Sequence, residues 1–484
     1  MSKINRRSFL KSSLLATVST AAYPALAPRS SARVIGANDD IRYAVVGFGG
    51  RGKDHIKEMH SVKGTRMVAL CDVDQHILDR ELKQCETQGE QVKGYTDVRK
   101  LLNDSEIDVV TFATPNHWHS LGAIWAIQAG KDVYVEKPVS HEVWEGRQLV
   151  TAARKYNRIV QTGTQCRSSQ GIAEAIEWIR QGNLGKIVRV RGLCYKRRPS
   201  IGKVEGPQPI PPGIDYDLWC GPAPKGPLMR KRLHYDWHWV WATGNGDLGN
   251  QGIHQMDLGR WILGETELSP RVWSVGGRLG YVDDGTTPNT LIIFHDYKAA
   301  PLIFEVRGLP TAEGSKQMDK YHGADVGVVT DLEGGRMVIS SYSSARFFDK
   351  DDKPVKSFEG SSSHFANFIG AVRSRKPADL KADILEGHLS SALCHTGNIS
   401  YRLGTPHSPE EIREAVKTTT DLAEAVGRME QHLGANNVDL HKTPAALGAV
   451  LRMDPRSEQF PGNHLANLLL SREYRAPFVV PKQV

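Results

Sequence analysis

Three glycines open the chemistry available to this sequence. In Gly47-Phe48-Gly49-Gly50-Arg51-Gly52, the residues Gly47, Gly49 and Gly52 have the spacing of a phosphate-binding turn, and Gly50 lies inside the same loop. The first glycine allows a tight turn, the second lets backbone approach a pyrophosphate, and the third lets a helix pack close to a strand. N–H groups at the start of that helix point at the anion. Asp72 stands 20 residues after Gly52, where a carboxylate takes the ribose hydroxyls of a dinucleotide. It would accept from a 2′-OH and repel a 2′-phosphate, and Val73-Asp74-Gln75 brings no Arg or Lys. The expected cofactor is therefore NAD, with NADP as the alternative.

These residues need a scaffold. Ile41 to Val46 is a short apolar run that leads directly into the glycines, as a buried parallel strand would. Met67 to Cys71 is a second such run and ends at Asp72. Ile107 to Thr114 reads as a strand, Ser120 to Ala129 as a helix and Val133 to Val135 as a strand. The alternation predicts an α/β fold whose N-terminal part, residues 34–160, is a doubly wound parallel sheet of the Rossmann kind.

Two segments then make the chain recognisable. Thr114-Pro115-Asn116-His117-Trp118-His119 follows one strand, and Glu136-Lys137-Pro138 follows the next, with Ala129-Gly130-Lys131 just before it. With the glycine loop they resemble the glucose-fructose oxidoreductase / inositol dehydrogenase / MocA (Gfo/Idh/MocA) family. Gly252-Ile253-His254-Gln255-Met256-Asp257, inside Gly246 to Gly264, is similar too. The resemblance covers roughly residues 40 to 400 and is specific for the family, not for a substrate. It implies a second α/β domain with an open, mostly antiparallel sheet that often mediates oligomers, so a homo-oligomer through that sheet is expected.

The same resemblance implies cofactor contacts from Thr114, Pro115, Asn116, His119 and Glu136. It places Lys137 beside the nicotinamide, bonded to the reacting hydroxyl. The residue-level reading agrees, because a lysine at the carboxyl end of a parallel strand faces the ligand crevice. Partial burial and a nearby cofactor cation would lower its pKa and help proton exchange near neutrality. Pro138 stiffens the loop, and the resemblance suggests a cis bond before it. His254 matches the family's catalytic histidine, whose imidazole takes the hydroxyl proton as hydride leaves carbon.

One departure matters. Many relatives place an aspartate four residues before this histidine, where this chain has Asn250. An amide orients a hydroxyl or ring nitrogen but cannot neutralise an imidazolium. Asn250 joins Lys137 and His254 as a catalytic candidate. Asp247 and Asp257 share the His254 face if the segment is helical and are substrate-binding candidates, Asp247 alternatively a helix-start contact. The change puts simple inositol-type dehydrogenation in doubt.

Residues 161–404 are expected to form the second domain, with short strands at Val188 to Cys194, Arg271 to Gly276, Thr290 to Phe294, Leu302 to Val306 and Val326 to Thr330, and a helix over Phe365 to Arg373. Pro199 to Pro227 is a Pro- and Gly-rich excursion that suits a lid or oligomer contact. His234-Tyr235-Asp236-Trp237-His238-Trp239-Val240-Trp241 is either a structural aromatic cluster or a sugar subsite; Trp237, His238 and Trp239 are the substrate-binding candidates. His234 and His238 have metal-ligand spacing only on a helix, and no metal is expected. The basic run Arg189, Arg191, Lys196, Arg197 and Arg198 reads as a solvated strand edge or oligomer rim, with an anion site as the alternative. Residues 405–484 form a C-terminal extension, helical over Glu410 to Leu433 and extended over Pro477 to Pro481.

The first 33 residues read as an address and linker. Asn5-Arg6-Arg7-Ser8-Phe9-Leu10-Lys11 resembles a twin-arginine export motif, followed by an apolar stretch and by Ala25-Leu26-Ala27 as cleavage residues. Cleavage after Ala27 removes Lys3, Arg6, Arg7 and Lys11 and no acid, taking the net charge from +8 to +4. Nucleic acid is then not an expected partner. No apolar run approaches the roughly 20 residues of a membrane span, so no stable span is expected after cleavage. The six cysteines are scattered and read as mostly buried thiols, a disulfide being left open. The expected function is exported, NAD-dependent oxidation of a secondary hydroxyl on a sugar, glycoside or polyol, the cofactor staying bound and recycled. The alternatives are a redox-neutral glycosidase or lyase acting through a transient keto-sugar, and a non-catalytic nucleotide or sugar binder.

Overall fold

The computed structural model describes residues 40–484; the expected export signal lies outside the described residues. Six strands, β1 (Ile41–Val46), β2 (Thr65–Cys71), β3 (Lys93–Tyr95), β4 (Val109–Phe112), β5 (Asp132–Val135) and β6 (Val160–Thr162), form a parallel sheet in the order β3-β2-β1-β4-β5-β6. This is the doubly wound order, with its crevice above the carboxyl ends of β1 and β4. Helices α1 (Gly52–His60), α2 (Gln75–Thr87), α3 (Val98–Leu102), α4 (Asn116–Gln128) and α5 (Val143–Lys155) connect the strands. Continuous apolar runs form β1, β4 and β5 because both faces of the sheet are covered, and Val45, Val109 and Val133 have no exposed surface. Helix α4 starts at Asn116, four residues before the expected start, with Pro115 extended at its N-cap position (φ −60°, ψ 153°). The helix therefore takes in His117, Trp118 and His119.

After α6 (Gln170–Arg180) the second sheet begins with β7 (Ile187–Tyr195), and α7 (Tyr216–Cys220) and α8 (Ile253–Leu263) precede its partners. These are β8 (Arg271–Gly277), β9 (Thr290–His295), β10 (Leu302–Arg307), β11 (Val326–Leu332), β12 (Gly335–Ile339), β13 (Ser344–Asp349) and β14 (Pro354–Glu359). The sheet is open and mostly antiparallel, with only β7 and β10 parallel. The last three strands have no counterpart in the sequence reading; β14 is almost wholly exposed, so no apolar alternation marks it. Helices α9 (His364–Ser374) and α10 (Ile384–Arg402) follow, and α8 and α10 cover one face of the sheet.

Strand β7 lies between β10 and β11, in the interior of the sheet. The basic run there is not a solvated edge. Arg191 is 1% exposed and bonds Glu305 and Glu424, while Arg189 bonds Asp331 and Asp421. The acids Asp421 and Glu424 belong to the C-terminal segment, where the helix expected over Glu410 to Leu433 is two helices, α11 (Pro409–Val416) and α12 (Thr420–Ala435). Ser408 and Glu411 form a capping box at the start of α11. Helix α12 packs Leu422, Val426 and Met429 against Ile292 and Ile303 on the outer face of the sheet. Strands β15 (Thr405–Pro406), β16 (Ala446–Leu447) and β17 (Leu451–Arg452) extend the sheet beyond β8.

After α13 (His464–Leu468) the chain turns back to the first domain as a strap. Phe478, Val480 and Val484 enter the core beside Trp118 and Leu121, and the Phe478 ring lies edge-on to Trp118 at 5.5 Å. All six cysteines lie among the described residues, buried and free. No helix among the described residues is long and apolar enough to cross a membrane.

Candidate active site

A cleft of about 460 Å³ lies above the carboxyl ends of β1, β2, β4 and β5. The glycine loop forms its floor, and the backbone there tolerates no side chains at two positions. Gly47 has φ +79°, and a Cβ on it would lie 3.0 Å from Thr114. A Cβ on Gly52 would lie 2.0 Å from the Gly47 carbonyl oxygen. Gly49 and Gly50 border the cleft, and a Cβ on Gly50 would meet nothing within 4 Å. The wall beside the loop holds Asp72, whose two oxygens accept from the N–H groups of Phe48 and Asp74, both at 3.0 Å. Burial raises the Asp72 pKa and those two hydrogen bonds oppose the rise. The carboxylate thus braces the loop and keeps lone pairs for ribose hydroxyls. Loop, helix terminus and carboxylate together fit a dinucleotide.

Glu136 ends β5 inside the cleft, but the protein itself engages its carboxylate. Oε1 accepts from Arg51 at 3.0 Å and lies 3.1 Å from His55 Nε2, and Oε2 accepts from the Lys137 N–H. These partners outweigh burial and hold the Glu136 carboxyl well below the usual range. Arg51, a residue the sequence reading did not single out, therefore ties the glycine loop to β5. Its position inside the glycine motif was the available signal.

Lys137 is the next residue, with a cis bond to Pro138. Its ammonium donates to the Asn250 carbonyl oxygen at 2.7 Å. Asn250 lies in a π-turn, Leu248–Gly252, that leads into α8. Such widened turns interrupt the regular ladder and occur at functional sites. Burial lowers the Lys137 pKa, with Glu136 opposing. The Asn250 amide points its nitrogen at Asp247, 3.5 Å away.

His254 stands one helical turn after Asn250, behind the wall of the cleft, its ring 5.2 Å from that of Tyr342. Burial, followed by the Lys137 charge, pushes its pKa well below the ordinary histidine value, and its Nδ1 is buried without a hydrogen-bond partner. The imidazole is a neutral base with a spare nitrogen. Gln251, between Asn250 and His254, accepts from Lys196 at 3.0 Å and donates to the Tyr342 hydroxyl at 3.1 Å.

The excursion between β7 and α8 roofs the cofactor end. Asp74 bridges Ile214 in antiparallel fashion, the Gln75 N–H donates to Gly213, and His234 lies 3.1 Å from the Asp74 carboxylate. Leu218, Trp219, Tyr235 and Trp237 border the cleft from this side. Tyr235 is held at φ +64°, and its hydroxyl accepts from Arg198 at 2.7 Å. The roof is pinned twice. Trp118 Nε1 donates to the carbonyls of Leu218 and Trp219, and Arg475 of the strap donates to the carboxylate and carbonyl of Asp217 and to the Gly221 carbonyl.

Several candidates take other positions than expected. Asp257 is fully buried away from the cleft, bonded to Arg167 at 2.8 Å and to Ser390 at 2.7 Å; it lies too deep to touch substrate. Asp247 gives both oxygens to Arg198 at 2.8 Å. Trp239 lies off the cleft wall, under the Arg198 guanidinium. Trp237 and His238 do border the cleft, stacked on each other at 3.6 Å, with burial holding the His238 ring neutral at about 3. Thr114, Pro115, Asn116 and His119 line the cleft as well. Two of these are also engaged internally, Asn116 with Asn245 and His119 with the carbonyls of Pro138 and Thr114. His234 precedes a short 3-10 turn, Asp236–Trp239, that contains His238, and the two rings have separate partners, Asp74 and the Tyr235 carbonyl.

Residues 41–164 match the NAD-binding Rossmann fold of the Gfo/Idh/MocA oxidoreductase family, and residues 183–287 match that family's C-terminal alpha/beta domain. A glycosyl hydrolase family 109 protein of Shewanella pealeana is 29% identical over 204 residues, covering 38% of this chain and 45% of the relative. An inositol 2-dehydrogenase of Salmonella typhimurium is 28% identical over 172 residues, covering 35% of this chain and 50% of the relative. The matched part spans about half the length of these relatives. Among solved structures, the WlbA dehydrogenase of Bordetella pertussis in complex with NADH and UDP-GlcNAcA has a TM-score of 0.54 at 19% identity, covering 73% of this chain and 94% of that one. That likeness is one of fold.

Proposed function

Since the chain belongs to the Gfo/Idh/MocA family of oxidoreductases and carries its NAD-binding Rossmann domain, we propose that it is an exported enzyme that oxidises a secondary hydroxyl of a sugar, glycoside or polyol with an NAD that it keeps bound. The observation that carries this reading is that Lys137 and Asn250, bonded to each other, line the same cleft as the glycine loop and Asp72, with His254 one helical turn after Asn250. Bound NAD supplies a hydride acceptor. The chain supplies the rest. Lys137, lowered by burial and anchored on Asn250, donates a hydrogen bond to the substrate hydroxyl and fixes its orientation. His254, kept neutral, takes the hydroxyl proton. Trp237 and His238 offer a stacked face to the apolar side of a sugar ring.

Asn250 supports a second reading, in which no net oxidation occurs. A transient ketone acidifies the neighbouring C–H and permits glycoside cleavage, after which the hydride returns. The glycosyl hydrolase family 109 relatives favour this version by their name, and a roofed cofactor suits both. Mass spectrometry of products from a panel of glycosides, with cofactor absorbance followed in parallel, tests the proposal. A ketone or a cleaved glycoside supports it, and the two outcomes separate its versions. Unchanged substrates across the panel, with unchanged absorbance, overturn it. Export is supported by Arg6-Arg7; retention of a double Lys variant inside the cell is the expected result, and unaltered export refutes it.

A further inference from the structure

Around the reacting end of the cleft the charges do not balance. Arg51 is matched by Glu136 and Asp54, each at 3.0 Å, and by Glu58 at 3.8 Å, and Arg198 is matched by Asp247 at 2.8 Å. Lys137 and Lys196 have no ion-pair partner among the described residues. Each holds instead a neutral oxygen of the same π-turn, Lys137 the Asn250 carbonyl and Lys196 the Gln251 side-chain carbonyl. Consecutive residues of the turn thus hold two ammonium groups from different domains, Lys137 from the end of β5 and Lys196 from the end of β7, near enough for Lys196 to repel Lys137. Glu136 and Asp247 act on Lys137 without touching it, Lys196 touches no carboxylate among the described residues, and like charges held near each other cost free energy until an anion arrives.

A directed donor stands beside them. The hydrogen-bond chain fixes the Gln251 amide, with oxygen toward Lys196 and nitrogen toward the Tyr342 hydroxyl. Because that hydroxyl accepts from Gln251, its own proton is free to be donated outward. Tyr342 is 48% exposed and leans on the His254 ring. A positive point charge and a free O–H donor on either side of one amide are the parts of a seat for an oxyanion. The cofactor's pyrophosphate has its own seat on the glycine loop and α1, so it does not fill this one.

We propose that the substrate is a sugar bearing an anionic group, a carboxylate or a phosphate ester, seated on Lys196 and the Tyr342 hydroxyl while the reacting hydroxyl lies at Lys137 and His254. This rests on the reading of the cleft as a sugar-oxidising site and narrows its substrate class. Lys196 then determines specificity, and its charge also steers the anion into the cleft.

The test uses the purified protein with NAD bound and matched trios of sugars: neutral parent, uronate and sugar phosphate. Binding is read by calorimetry and reduction of bound NAD by absorbance. An anionic member should bind at least tenfold more tightly than its neutral parent, with an affinity that falls as salt rises. K196M should weaken the anionic member about tenfold more than the neutral parent, and K196R should preserve most of the difference. Preference for the uronate or for the phosphate identifies the anion. Equal affinity within every trio, no binding at all, or equal losses from K196M across a trio overturn the anion seat. Anionic members that bind through Lys196 but never reduce the cofactor leave the seat standing and overturn the oxidation reading.

Discussion

Lys137 reaches from the cofactor domain into the second domain and donates to the backbone carbonyl of Asn250 at 2.7 Å. A backbone acceptor fixes the ammonium without an ion pair, so the lysine is held in position while burial lowers its pKa. Lys137→Ala and His254→Ala should each lower turnover by roughly 10² or more, the usual scale for acid–base groups. Bound NAD, counted after denaturation, should remain. Near-normal turnover in either variant removes that residue from the mechanism.

Asn250→Asp is a sharper probe, because the amide nitrogen lies 3.5 Å from Asp247. A second carboxylate there faces a first one, and like charges at such range raise a carboxyl pKa. Activity should fall at neutral pH and recover as pH is lowered toward the raised value. A profile identical to that of the parent shows that the amide does not act as a donor.

Asp72→Ala removes a ribose acceptor and also the brace on the Phe48 and Asp74 N–H groups. NAD affinity should fall, and the preference over NADP should shrink. Titration with both dinucleotides checks this. Tighter binding of NADP by the parent protein overturns the assigned role.

The roof and strap should hold the cofactor through dialysis, and the protein should turn over without added NAD. Arg475→Ala and Phe478→Ala loosen the pin on the roof and should speed NAD loss at least tenfold. Release is followed by fluorescence after dilution. A parent protein that emerges empty, with activity strictly dependent on added NAD, refutes the retained cofactor.

Burial holds His117, His238, His295 and His395 at about 3 and His364 at about 4, against an ordinary 6.5. They are neutral in the folded protein, while unfolded chain protonates them below about 6.5. Their contribution to stability is therefore complete above that pH and is lost as pH falls toward 3. Each pH unit costs about 1.4 kcal/mol per residue, so five of them over one unit approach the whole stability of a domain. Glu145, raised to about 7 by burial, acts oppositely, as do Asp72, Asp132 and Glu142, which burial also raises. Melting temperature should drop steeply between pH 6.5 and 5; a flat profile contradicts the buried neutral histidines.

The glycine loop, Asp72 and the strand-end Lys137 were legible because each belongs to a local pattern of strand, turn and helix. What the sequence did not reveal depends on partners far along the chain. Arg51 finds Glu136 85 residues away, and Arg191 finds Glu424 233 residues away. Asp257 has the spacing of a substrate ligand, yet Arg167 and Ser390 claim it in the core. Helical spacing sets which face a residue occupies, and only tertiary packing decides what that face meets.

The strap also sets an order of events. Arg475 closes on Asp217 across 258 residues, so the pin cannot form until synthesis has passed that arginine. The six strands of the nucleotide-binding sheet are all made by β6, and the cleft above them is then bare. The roof follows from residues 213 to 239, and its latch comes more than two hundred residues later. Throughout that interval a dinucleotide has an open door, and the chain's own connectivity shuts it last.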